Sequence, residues 1–223
     1  MFLNNWSADV KATPPKLERS ERTLRKSKVT LDVTSDPAPI SVQVGTLMAK
    51  PIACYHTVLL PTAGCVEIRH AIQRLWGVNT WMVEENKKSY DRIMAEINSP
   101  ADVAWQRDTR CDPDTVWHMS FRDWAKQYVP DGQVDGAIMN SPAKSAMFDL
   151  LCAWKYVRPH GTVQALIPWE MIYRHQRFHD WLEARWADID PLPYKLYDPQ
   201  FHHLELQHVL LTRCYSIDTG QLM

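Results

Sequence analysis

The chain has 223 residues, 45% of them hydrophobic and 23% charged, with a formal net charge of -1, which fits one ordinary globular domain with room for a short extra arm. No run approaches the roughly 20 apolar residues of a bilayer-spanning helix, and the opening Met1–Lys11 lacks the basic start and apolar stretch of a secretory signal. The five cysteines (Cys54, Cys65, Cys111, Cys152, Cys214) are scattered and never spaced Cys-x-x-Cys, which argues against a disulfide framework and against a cysteine zinc site, so a reducing cytoplasm is the expected location.

The first segment is basic. Between Lys11 and Lys28 lie seven cations (Lys11, Lys16, Arg19, Arg22, Arg25, Lys26, Lys28) against Glu18 and Glu21. The stretch follows Pro14-Pro15 and is poor in apolar residues, and Asp36-Pro-Ala-Pro39 reads as a second break. Residues 1–45 are therefore expected to form a basic arm and residues 46–223 a folded domain. Two uses of the arm stand side by side: a solvated tail, or a contact to nucleic acid or a partner protein through Lys16, Arg19, Arg22, Arg25 and Lys26.

From about residue 50, short apolar runs alternate with longer helical stretches. Thr57-Val-Leu-Leu60 reads as a strand closed by Pro61-Thr-Ala-Gly64. Val66, Ile68, Ala71, Ile72 and Leu75 keep helical spacing up to Trp76-Gly77, where glycine stops a helix. Thr80–Val83 is the next strand, Ser89–Ile97 a helix, and Val116–Phe121 a short strand. Gly136-Ala-Ile-Met139 is short and wholly apolar, hence central in a sheet. Ala146–Val157 is apolar nearly all round and reads as a buried helix. Thr162–Ile167 is a strand, Trp169–Trp186 one long helix, and Tyr194–Tyr197 and Leu204–Cys214 two final strands. This order predicts an α/β fold: a doubly wound, mostly parallel, Rossmann-like sheet ending in an antiparallel hairpin.

The order of strand, Pro61-Thr-Ala-Gly64, helix, strand with Glu84-Glu85, and later Asn140-Ser-Pro-Ala143 resembles the class I S-adenosylmethionine-dependent methyltransferases. Within them it is most similar to the DNA methyltransferases that modify the exocyclic amine of adenine. The stretch Phe148–Pro168 with its Arg158-Pro-His-Gly161 turn, and the terminal Leu192-Pro-Tyr194, Phe201 and His208-Val-Leu-Leu-Thr-Arg213, add to the likeness, which runs in order from about residue 50 to the end. The motifs depart from the family pattern at Leu60 (usually acidic), Val66 (usually glycine), Ser141 (usually proline) and Ala143 (usually aromatic).

The resemblance implies S-adenosylmethionine as cofactor, held by Pro61, Ala63 and Gly64 in the first turn and by an acid on the ribose hydroxyls. Glu85 aligns with that acid, with Glu84, 20 positions beyond Gly64, close behind. The plainer reading of both glutamates is a pair capping the next helix. Phe121 carries over as a stacking wall, whereas Ser120 stands where the family has an acid for the cofactor's adenine amine. Asn140, the Ser141 carbonyl and the stiffening Pro142 would orient the target amine. Ala143 cannot stack on a flipped base, and Trp169 and Trp124 are the candidates to replace that contact. His175 and His179 have metal-compatible spacing but no third ligand nearby, so no metal site is expected. The expected function is methylation of a nucleic acid, foremost the adenine amine of DNA. The rival is a catalytically degenerate methyltransferase-fold protein that binds nucleic acid or a partner protein.

Overall fold

In the computed structural model the described residues are 41–52, 55–63, 66–99, 114–128, 132–196, 202 and 204–213, all within one unit, Val33–Met223. The five arm cations Lys16, Arg19, Arg22, Arg25 and Lys26 lie outside them, as does Gly64. The strands are β1 (Thr57–Leu60), β2 (Asn79–Glu84), β3 (Thr115–His118), β4 (Val134–Met139), β5 (Val157–Pro168), β6 (Asp188–Pro191) and β7 (Leu206–Thr212). The helices are α1 (Val42–Ala49), α2 (Val66–Trp76), α3 (Lys87–Ile97), α4 (Phe121–Gln127), α5 (Ala146–Tyr156), α6 (Trp169–Arg174) and α7 (Gln176–Glu183).

One sheet joins all these strands in the order β3-β2-β1-β4-β5-β7-β6. β1 pairs in parallel with β2 and β4, β2 with β3, and β4 with β5, so Val58, Val83, Ile138 and Leu166 sit on adjacent parallel strands as the sequence implies. β4 is the middle strand and all six of its residues are buried, in keeping with its apolar run. Leu59, Val83, Ala137, Met139, Val163 and Ala165 share one core with Trp124 of α4, Leu150 and Ala153 of α5, and Phe178 and Trp181 of α7. The alternate residues Val58, Met82, Ile138 and Leu166 point to the other face and are equally buried.

Buried carboxylates tie neighbouring strands together at their starts. Asp114, just before β3, takes Thr80 N at 2.9 Å and the Thr80 hydroxyl at 2.5 Å on Oδ1. Its Oδ2 takes Arg69 Nε and Gln73 Nε2 of α2, each at 2.9 Å. Asp135 performs the same service at the start of β1, accepting from His56 N at 2.6 Å and Thr57 N at 2.8 Å.

Several expectations are corrected. The C-terminal antiparallel pairing is real, but β7 pairs with β5 and with Asp188–Pro191, not with Tyr194–Leu196, the described part of the strand expected over Tyr194–Tyr197. Tyr194–Leu196 is a 3-10 turn closed by Leu196 N on Pro193 O at 2.9 Å, a turn that Pro193 preorganises. β6 is a polar edge strand with Asp188, Asp190 and Pro191, features that discourage further pairing and hide it from an apolar search. The long helix expected over residues 169–186 is broken at His175, whose φ and ψ are -105° and 83°. In one straight helix Ile172 and Phe178 would point about 120° apart, and the break lets both reach the core. The strand expected to reach Phe121 stops at His118, because Ser120 N-caps α4 and makes Phe121 its first residue.

α1 runs across the expected arm boundary at residue 45. Val44 and Met48 are fully buried, and a Cβ on Gly45 would meet Glu67 O of α2 at 2.7 Å, so glycine permits the close crossing. Gly77 ends α2 with φ of 62°, the left-handed stop its position implies. No helix among the described residues is long and apolar enough to cross a membrane.

Candidate functional site

The strand order reverses between β1 and β4. The chain leaving β1 turns toward β2, the chain leaving β4 turns toward β5, and the diverging connections open a crevice at the carboxyl ends of the strands. Three loops meet there. Ala63 N donates to Val83 O at 3.0 Å, joining the turn after β1 to β2. Met119 N donates to Glu84 O at 3.1 Å, joining β2 to the turn after β3. The Thr62 and Ser141 hydroxyls meet at 3.2 Å, joining the turns after β1 and β4 across the reversal point. The hydroxyl at position 141, where the resembled family has a proline, makes this bridge available.

This edge gathers Pro61, Ala63, Glu84, Asn140, Ser141 and Pro142 through strand ends, and Phe121 through the start of α4. Asn140 directly follows β4 and is 1% exposed, and Ser141 is 5% exposed. Pro142 O accepts from Ser145 N at 2.9 Å and Ala146 N at 3.0 Å, so the turn is locked into the start of α5. Phe121 is buried and stacked on Trp124 at 5.6 Å.

The two glutamates separate cleanly. Glu84 is the last residue of β2 and is buried, and its Oε1 accepts from Asn86 N at 2.6 Å. Asn86 itself caps α3, its Oδ1 accepting from Lys88 N at 2.9 Å and Ser89 N at 3.2 Å. Glu85 is exposed. Leu60 and Val66, the departures from the family pattern around the first turn, are buried in the core.

Trp124 cannot serve as a stacking surface. It is fully buried among Phe121, Trp117, Tyr128 and Tyr156. Trp169, by contrast, follows the end of β5 and is 39% exposed, with Tyr173 beside it at 4.8 Å. His179, Asp180 and Glu183 bring ligand atoms within 4.8 Å of one another, on a helix surface where both acids are exposed.

Asp149 is the acid that periodicity passes over. It lies in the first turn of α5, a helix read as apolar all round, and is 3% exposed. Burial pushes its pKa up, while hydrogen bonds from Ser141 and Ser145 and the charge of Arg122 pull it down, and Glu85 pushes it up again. Its Oδ2 is buried with no hydrogen-bond partner among the described residues. The signal that could have found it is a lone acid, Ala146-Met-Phe-Asp-Leu-Leu151, on a helix that must bury all its faces.

No protein-family profile and no curated protein matches the sequence. Solved structures do match in shape. An O-methyltransferase from Bacillus cereus in complex with S-adenosylhomocysteine aligns with a TM-score of 0.55 at 16% identity, over 79% of this chain and 83% of that one. The O-methyltransferase TomG from Streptomyces achromogenes, in complex with S-adenosylmethionine, aligns at 0.52 and 14% identity, over 79% and 82%. A Listeria monocytogenes protein assigned to the class I S-adenosylmethionine-dependent methyltransferases aligns at 0.58 and 14% identity, over 83% of this chain but only 64% of its own length.

The chain has the class I methyltransferase fold. In that fold the crevice between β1 and β4 is the edge just described, where Pro61, Ala63, Glu84, Asn140, Ser141 and Pro142 lie. The neighbours named here include O-methyltransferases, so the fold alone does not single out a DNA adenine branch.

Proposed function

We propose that the protein is an S-adenosylmethionine-dependent methyltransferase acting on the exocyclic amine of a nucleobase, foremost adenine in DNA. The observation that carries this reading is Asn140, buried at the carboxyl end of the central strand with its turn bridged to the turn after β1 through Ser141 and Thr62. The residues at this edge fit the cofactor: a buried acid closes β2, and the turns after β1 and β4 bring hydroxyl groups together beside it. When bound, S-adenosylmethionine supplies an electrophilic methyl group on a sulfonium sulfur.

The chain's own residues hold and orient the reactants. Glu84, rather than Glu85, takes the ribose hydroxyls, because it is fixed by Asn86 N and shielded from water. Asn140 Oδ1 and the Ser141 carbonyl accept the two amine protons and turn the nitrogen lone pair toward the crevice. Pro142 stiffens that turn. Trp169, at the end of the strand beside β4, offers the aromatic face that Ala143 lacks, a stacking contact worth roughly 1–3 kcal/mol per base.

Calorimetric titration with S-adenosylmethionine tests the reading, with N6-methyladenine formed in duplex DNA as the second readout. Glu84→Gln is expected to weaken cofactor binding by about 1.5–3 kcal/mol, the loss of charge-assisted hydrogen bonds, and Glu85→Gln to leave it unchanged. A wild-type protein that takes up no cofactor would overturn the reading and favour a degenerate, binding-only descendant.

DNA binding is expected to depend on the basic segment. Lys11 to Lys28 carries +5 (seven cations minus two anions), which leaves -6 for the rest of a chain whose total is -1. A body of that sign repels phosphate, so attraction has to come from the arm and has to weaken steeply with salt as counterions are released. Deletion of residues 1–30 is expected to abolish DNA binding without changing the melting temperature. Binding curves over a salt series for full-length and truncated proteins check this, and equal affinity and slope in the two would refute it.

A further inference from the structure

Helix α7 ends in an arrangement that ordinarily calls for glycine. Ala187 N donates to Leu182 O at 3.1 Å and Trp186 N to Glu183 O at 3.0 Å, the paired bonds of a Schellman cap. The residue before the outer donor must take a left-handed backbone, and here it is Trp186, with φ of 55°. Glycine adopts that conformation at no steric cost, whereas a residue with a Cβ is strained in it. The Trp186 side chain makes no compensating contact. It is 83% exposed, with no hydrogen bond to its indole and no aromatic neighbour among the described residues. Trp76 and Trp169, also exposed, are each engaged. Trp76 Nε1 donates to Ala49 O at 2.6 Å, and Trp169 lies 4.8 Å from Tyr173. A lone exposed apolar side chain is ordinary on a surface. One that is also held in a strained backbone points to a role outside the fold.

The surroundings are acidic. Residues 180–190 hold four acids, Asp180, Glu183, Asp188 and Asp190, all of them exposed. The one cation in that run, Arg185, is 8% exposed, its guanidinium carbon 4.3 Å from the Trp181 ring centroid. Asp188 and Asp190 share one face of β6, the outermost strand of the sheet. Asp188 pairs with Leu210, which pairs with Gln164 in the middle of β5. Trp186, two residues earlier, therefore lies toward the amino ends of the parallel strands, away from the crevice.

We propose that Trp186 and the acids beside it form a docking site for a basic protein segment. The indole face receives an arginine or lysine side chain, and Glu183, Asp188 and Asp190 supply the counter-charge. The same acids repel phosphate, so the occupant is a cationic peptide and not nucleic acid. The site stands apart from the cofactor crevice, so the inference does not depend on the methyltransferase reading.

Fluorescence anisotropy of a labelled oligoarginine peptide, titrated with the full chain, tests this. Wild type is expected to bind it, more weakly as salt is raised. Trp186→Gly is expected to weaken binding by about threefold to tenfold, the loss of a cation–π contact. The same substitution is expected to raise the melting temperature, because glycine relaxes the cap. Trp186→Phe is expected to recover part of the affinity, since a phenyl face attracts a cation less strongly than an indole. Asp188→Asn combined with Asp190→Asn is expected to weaken binding and flatten its salt dependence. A wild type that does not bind the peptide, or a glycine variant that binds it equally well, would overturn the proposal. A lower melting temperature in the glycine variant would overturn it too, by showing that the ring serves the fold. So would a wild-type dimer in light scattering that Trp186→Gly dissociates, which would make the occupant a second copy of the chain. Tighter binding of single-stranded DNA than of the peptide, lost in the glycine variant, would reassign the site to nucleic acid.

Discussion

Asp114→Ala is expected to destabilise the protein by about 3–5 kcal/mol, the largest stability effect of any single substitution considered. Asp114 uses both carboxylate oxygens, one on Thr80 of β2 and one on Arg69 and Gln73 of α2. The side chains of Arg69 and Asp114 are only 2% and 4% exposed. Removing the carboxylate takes the Asp114 charge from a guanidinium in the interior, and leaves the Thr80 N–H and hydroxyl without this acceptor. Denaturant unfolding measures the loss. The double variant Arg69→Met with Asp114→Ala is expected to recover part of it, since an apolar side chain needs no carboxylate. A midpoint for Asp114→Ala within about 0.5 kcal/mol of wild type, the range of surface substitutions, would refute the network's importance.

Asn140→Ala is expected to lower methyl transfer by about 10²–10³-fold, with cofactor affinity nearly unchanged. The magnitude follows from removing one preorganised dipole at the reacting group, a group held in place by β4 and by the bridge from Ser141 to Thr62. Asn140→Asp keeps an acceptor oxygen at that position and is expected to retain more activity than the alanine variant. Single-turnover transfer to duplex DNA gives the rate, and calorimetry with S-adenosylhomocysteine gives the binding. Alanine transferring as fast as wild type would remove Asn140 from the chemistry. A rate loss matched by an equal affinity loss would make it a cofactor ligand instead.

Much of the parallel core was legible because its signals are local. The apolar runs at β1, β2, β4 and β5 and the periodic helices between them each lie within one short window. The stop at Gly77 needs only one residue that tolerates a left-handed backbone. The elements missed lack that kind of signal. β6 is polar and short and becomes a strand because β7 offers it an edge. The break at His175 arises from the need to bury both Ile172 and Phe178, which is a demand of the sheet and not of the helix. α4 begins where the Ser120 hydroxyl catches Asp123 N, a contact that an apolar pattern does not register.

The candidate site divides in the same way. Sequence alone placed residues at strand ends: the turn that begins at Pro61, the acids after Val83 and the Asn140-Ser-Pro142 turn, because a strand end is itself a local feature. It could not choose between Glu84 and Glu85, since consecutive residues at a strand end differ only in the side to which they point. The tertiary structure supplies the difference in burial, enclosing the first and exposing the second. It also removed Trp124 from the stacking candidates by enclosing it in aromatic side chains, and it buried Asp149 in the first turn of α5. Asp114 and Arg69 are 45 residues apart in sequence, and no motif joins them. Burial and long-range pairing depend on which faces meet across the sheet, and that information exists only once the strands have been ordered.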